Sequence, residues 1–161
     1  MLGFGGLDLS RSAAAVLRVA IAAVLVAGGA VSARAGDPGE AEARRSANAF
    51  GRALTAGQAS LLRPILPSDG KVHLSLPKIV PEEGWFASSQ VEALLGDFLS
   101  QGSVRSFELL RMESDGKTNA LARGRAVLDD RQGRPLRLGL HLSFQPEGDR
   151  WVLREIRETL E

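Results

Sequence analysis

The sequence has no cysteine and no tyrosine, only two histidines, and aromatic residues at 5%. Without cysteine there is no disulfide, no lipid anchor on a cysteine and no thiolate metal site. His73 and His141 alone leave a structural zinc without a ligand set, so no metal and no cofactor is expected. The glycines are scattered as turns and caps: there is no phosphate-binding loop, no dinucleotide fingerprint and no nucleophile elbow. Internal repeats and low-complexity tails are lacking as well.

A long apolar run is also missing, and that bears on the N-terminus. Arg11 and Arg18 precede the apolar stretch Val19 to Ala27, and Ala33-Arg34-Ala35 supplies the small-x-small pattern of a signal peptidase site. The charge-free stretch Val19 to Ala33 is shorter than the about 20 residues a membrane-crossing helix needs. Residues 1–35 therefore read as a cleaved export signal rather than an anchor, and residues 36–161 as a single exported domain, periplasmic or secreted. The formal net charge is +1 for the whole chain; removing 1–35 leaves 17 basic against 18 acidic residues. Bulk attraction to nucleic acid has no basis at that balance.

What is present is a strongly patterned C-terminal half. Ala120, Ala122, Gly124, Ala126 and Leu128 recur at period two, and so do Leu136, Leu138, Leu140, Leu142 and Phe144. Such runs are half-buried strands. Gly133 suits the left-handed last position of a short loop between them. Closing on Asp130 and Arg134 pairs Leu128 with Leu136, Ala126 with Leu138, Gly124 with Leu140, Ala122 with Leu142 and Ala120 with Phe144. Slipping by one residue would put Arg123 and Arg125 beside leucines.

Earlier in the chain, Ala43, Ala47, Phe50 and Leu54 form one helical stripe over Glu40 to Ala56, ended by Gly57. Gln58 to Ile65 holds a short second helix. Lys71 to Leu76 alternates as a strand, and Lys78 to Phe86 reads as a loop closing over something apolar. Ser89 and Glu92 match a capping box before the stripe Val91, Leu94, Leu95, Phe98 and Leu99, stopped at Gly102. Val104 to Met112 and Trp151 to Leu160 are further strands.

The expected fold is α+β: a curved antiparallel sheet of four to five strands wrapped around two or three N-terminal helices. This order, with the ending Gly148-Asp149-Arg150-Trp151-Val152-Leu153, resembles the nuclear transport factor 2-like superfamily, a cystatin-like cone, and within it exported bacterial proteins of unknown function. The resemblance covers roughly residues 40–161. It implies a cavity inside the cone where some members handle protons. Ketosteroid-isomerase-like members need an Asp base and a Tyr, and this chain has no Tyr.

The remaining ionisable candidates are His73, Asp97, Glu108 and Glu155. If Phe144 pairs with Trp151, Glu155 falls opposite Leu140 inside the cone, where burial would raise its pKa. A bulge after Leu153 would instead turn Glu155 outward and Ile156 inward; that reading is favoured because an unpaired buried charge is costly. His73 alternates away from the apolar side of its strand. Trp85, Phe86, Phe98, Leu140 and Trp151 are candidates for a pocket, with core closure as the plainer reading. Arg123, Arg125, Arg137 and His141 share the other face of the hairpin, suited to an anionic partner or a second copy, or balanced by an acid such as Glu158 opposite Arg137.

The expected role is an exported, non-catalytic module binding a small apolar ligand or a protein, with a homodimer through the sheet face as one form. The alternative is a small isomerase- or dehydratase-type enzyme with Glu155 or His73 as general base.

Overall fold

The computed structural model describes residues 37–129 and 132–159; the export-signal reading of 1–35 and the loop residues Asp130 and Arg131 lie outside them. The elements, in order, are α1 (Pro38–Ala56), a 3-10 helix (Ala59–Ile65), β1 (Lys71–Ser75), β2 (Gly84–Ala87), α2 (Ser88–Gln101), β3 (Val104–Ser114), β4 (Ala120–Asp129), β5 (Pro135–Glu147) and β6 (Arg150–Thr159). They form one six-stranded sheet in the order β2-β1-β6-β5-β4-β3.

Two expectations are corrected. The sheet has six strands rather than four to five, because Gly84–Ala87, read as loop, pairs antiparallel with β1. It is mixed, since β1 runs parallel to β6. α2 follows a strand, as expected, with β2 added between them. The short second helix is a 3-10 helix, consistent with Pro64 inside it, which cannot donate to an α-helical ladder.

α1 begins where Asp37 Oδ1 accepts from the Gly39 amide at 3.0 Å, with Pro38 in the first turn. It ends at Gly57 (φ 66°), in the left-handed conformation typical of a helix stop. Its buried stripe is Ala43, Ala47, Phe50 and Leu54, as the spacing predicts. The small side chains let α1 approach the sheet closely. A Cβ on Gly51 would stand 2.3 Å from the Phe107 ring, and one on Gly124 would stand 2.6 Å from the same ring. Phe107 therefore fills the slot between α1 and β4, and it meets Phe50 edge-to-face at 5.8 Å.

α2 starts at Ser88, two residues earlier than the Ser89–Glu92 box predicts. Gln90 Oε1 accepts from the Ala87 amide at 2.9 Å, while Glu92 is held from outside the helix by Arg63 at 2.8 Å.

The β4–β5 hairpin has the predicted register at all five inner pairs, from Ala120↔Phe144 to Leu128↔Leu136, and Gly133 is left-handed at φ 77°. The register of β5 with β6 differs from the one that would pair Phe144 with Trp151. A two-residue loop at Gly148 and Asp149 pairs Glu147 with Arg150, so Phe144 meets Leu153 and Trp151 meets Pro146. The register then shifts between Ser143 and Phe144. Arg154 is the extra residue, so Glu155 turns outward and Ile156 inward, the bulged alternative.

Inside the cone, Phe50, Leu74, Leu95, Leu138, Leu142, Phe144, Leu153 and Ile156 are all at most 2% exposed. Each such side chain contributes about 1.5–3 kcal/mol by burial. Among Phe50, Leu54, Leu95, Ala126, Leu140 and Ile156 a void of about 10 Å³ is left, too small to house a water comfortably. The deep cone is closed.

Candidate functional site

One end of the domain stays open. Here the loop from Lys78 to Glu82, the C-terminal half of α2 and the far end of the β4–β5 hairpin enclose a pocket of about 490 Å³. Ile79, Val80, Leu94, Phe98, Leu128 and Leu136 give it apolar walls. Ile79, Phe98 and Leu128 also line the small void below, so these three side chains are the partition between mouth and core.

Three carboxylates stand at the mouth, Glu82, Asp97 and Asp129. Asp129 is already engaged, accepting from Arg105 Nε at 2.8 Å and Ser103 Oγ at 3.0 Å. Asp97 and Glu82 have no cationic partner among the described residues. The one lysine of the lining is committed elsewhere: Lys78 Nζ lies 2.5 Å from Glu158 Oε1, and the Lys78 amide donates to Oε2 at 3.3 Å.

That pair corrects an expectation. Glu158 does not stand opposite Arg137 on the outer face; it pairs with Leu140 and faces inward, its side chain 7% exposed. A carboxylate beside the leucine row thus exists, three residues after the one considered from sequence. A buried carboxylate needs a counter-charge, and the loop supplies it.

Glu155 and His73 are brought together, but outside the cone. His73 Nδ1 is 3.5 Å from Glu155 Oε1, through the β1–β6 pairing. The Trp85 ring lies over His73 at 5.0 Å and is 62% exposed. The pocket candidates are therefore dispersed. Phe98 lines the mouth, Leu140 belongs to the closed core, and Phe86 packs against that core. Trp85 stands on the outer face, whereas Trp151 is buried with its carbonyl accepting from Ser46 Oγ at 2.7 Å.

The outer-face candidates do share one side. Arg123, Arg125 and Arg137 are exposed and His141 is half-buried. Arg157 donates to His141 Nδ1 at 3.0 Å, which leaves the proton of the neutral ring on Nε2, where it is buried without a partner. Burial holds the His141 pKa below the ordinary imidazole value, and the positive charges of Arg157 and Arg123 push the same way against Glu155. Glu147 is held below the usual carboxylate range by the Ser68 amide and by Arg150.

Sequence reasoning missed Lys78, Ile79 and the hairpin end as parts of one pocket, and Glu158 as the partner of Lys78. The only signal was the prediction that the loop after Pro77 closes over something apolar.

No family model matches the chain, and no curated protein matches it by sequence. Solved structures do. An NTF2-like protein from Anabaena variabilis superposes with a TM-score of 0.59 at 18% identity, over 79% of this chain and 92% of that one. A putative isomerase from Rhodopseudomonas palustris gives 0.57 at 18% identity, over 73% and 87%. A DUF4783 family protein from Bacteroides uniformis gives 0.57 at 18% identity, over 71% and 97%. At these identities the likeness is one of fold.

Proposed function

We propose that this chain, which has the nuclear transport factor 2-like fold, is an exported, non-catalytic module that binds a small, mainly apolar ligand bearing a cationic group at the mouth of its cone. The observation that carries the reading is the contrast between a closed core and an open mouth whose Asp97 and Glu82 face no cation among the described residues. A pocket of this volume is of ordinary ligand size. An amine placed against Asp97 would gain a charge-assisted bond while its hydrocarbon part covers Phe98 and Leu128. Calorimetry with octylamine, octanol and octanoate tests it. The amine should bind best, and Asp97→Asn should remove its advantage over the alcohol. Equal binding of all three would refute the cationic preference, and no binding at all would refute the pocket.

The export part is tested by the N-terminus of the processed chain, expected at Gly36. A retained Met1 in the membrane fraction would mean an anchor instead.

A second reading, a small pocket enzyme of isomerase or dehydratase type, is favoured by Glu158, a carboxylate held inside the cone. Lys78 argues against it, since an ion-paired carboxylate is a poor base. Turnover that Glu158→Gln abolishes would decide for the enzyme.

A further inference from the structure

The outer face carries a feature that neither the packing nor the mouth pocket uses. Arg111 pairs with Arg123, Arg123 with His141, and His141 with Arg157, so four basic side chains lie in register across β3, β4, β5 and β6. Neighbouring strands are about 4.8 Å apart, so the row is about 15 Å long. Like charges directly opposite one another on a sheet are destabilising. Only Arg111 has a carboxylate partner, Glu113 at 2.7 Å; Arg123 and Arg157 have none among the described residues.

One step along the strands lies a second row of different chemistry, in which Trp85, His73 and Glu155 are adjacent on β2, β1 and β6. It offers a flat exposed ring, an imidazole and a carboxylate beside the cationic row.

We propose that these two rows together bind an acidic carbohydrate, a chain of pyranose sugars bearing carboxylates. The arginine row takes the sugar carboxylates, because guanidinium binds carboxylate in a two-point geometry. Trp85 takes the apolar face of one ring, while Glu155 and His73 take its hydroxyls. A single-stranded nucleic acid fits less well. It would set its phosphates against Glu155 and Glu113, and it would find one exposed aromatic ring where such strands use several. A second copy of the chain also fits less well, because a two-fold contact centred on the row would face arginine with arginine.

The test is calorimetry on the purified chain with oligogalacturonate, cellohexaose and oligo-deoxythymidylate as probes. Oligogalacturonate should bind, more weakly as salt is raised, and the neutral cellohexaose much less. Arg123→Gln and Arg157→Gln should each weaken binding on the order of tenfold, and Trp85→Ala should weaken it with an unchanged salt dependence. Asp97→Asn at the cone mouth should leave it unaltered. The inference is overturned if oligo-deoxythymidylate binds better than the uronate, if cellohexaose binds equally, or if nothing binds. It is equally overturned if Asp97→Asn rather than the arginine variants removes binding, or if light scattering shows a dimer that Arg123→Glu dissolves.

Discussion

The two faces of the β4–β5 hairpin come from the same residues of the same two strands, yet only one of them is explained by folding. On the inner face, Ala120, Ala122, Ala126 and Leu128 meet Phe144, Leu142, Leu138 and Leu136, and all but Leu136 are buried. Gly124 opposite Leu140 leaves room that Phe107 fills. Every choice there has a packing reason. On the outer face, Arg123 stands between Arg111 and His141 with no carboxylate to balance it among the described residues. A residue kept where it costs stability is better evidence of a task than one that serves the core.

Damage to the inner face tests that contrast most severely. Leu142 is fully buried, so Leu142→Ala should cost about 2–5 kcal/mol through lost transfer energy and the cavity left behind. Chemical denaturation should show the midpoint falling while the slope holds. A loss below about 1 kcal/mol would mean that the core around Leu142 is loosely packed.

Overfilling comes next in size. A side chain on Gly124 would collide with the Phe107 ring and approach the Glu108 carbonyl at 3.2 Å. Gly124→Val should therefore cost about 1–3 kcal/mol. Coupling it with Phe107→Ala in a double-mutant cycle should recover part of the loss, since the ring is what the new methyls meet. Additive losses would place the strain in the backbone instead.

A pH titration sharpens the outer side of the comparison. The folded chain keeps His141 neutral through burial and the charges of Arg157 and Arg123, with Glu155 opposing them. As pH falls through the ordinary imidazole value of 6.5, the unfolded chain takes up a proton that the folded chain refuses. Stability should therefore decline below that pH, and the decline should end once the folded ring protonates as well. His141→Gln should flatten this limb; below pH 5, acid loss should persist, because Glu147 is paired in the folded state. An unchanged limb in the variant would mean that His141 is not its source.

How far the sequence carried depends on where each pairing gets its information. The β4–β5 register was legible because ten residues alternate in size and Gly133 marks the reversal. The β5–β6 register was not, since Pro146 to Arg150 allows loops of different length, and the two-residue loop at Gly148 and Asp149 is settled by cross-strand packing. The bulge at Arg154 left a trace, the three-residue step from Leu153 to Ile156. β2 is four residues long and has no alternation to read. Its pairing with β1, and that of β1 with β6, join segments whose sequences say nothing of each other. The mouth pocket fails for the same reason: Lys78, Asp97 and Leu128 meet only through the tertiary fold.

The smallest effect discriminates best between the two faces. If Arg123 serves the fold through its long side chain, Arg123→Thr should destabilise the chain slightly through lost covering of the sheet. If the row is kept for an anion, the same change should relieve repulsion from Arg111, and threonine suits a strand better as well. Stability should then rise by a few tenths of a kcal/mol. The gain should shrink as salt is added, because exposed charges are screened within about 10 Å at 0.1 M. A salt-independent gain would trace to strand propensity alone, and it would leave the arginine row without the cost on which the outer-face argument depends.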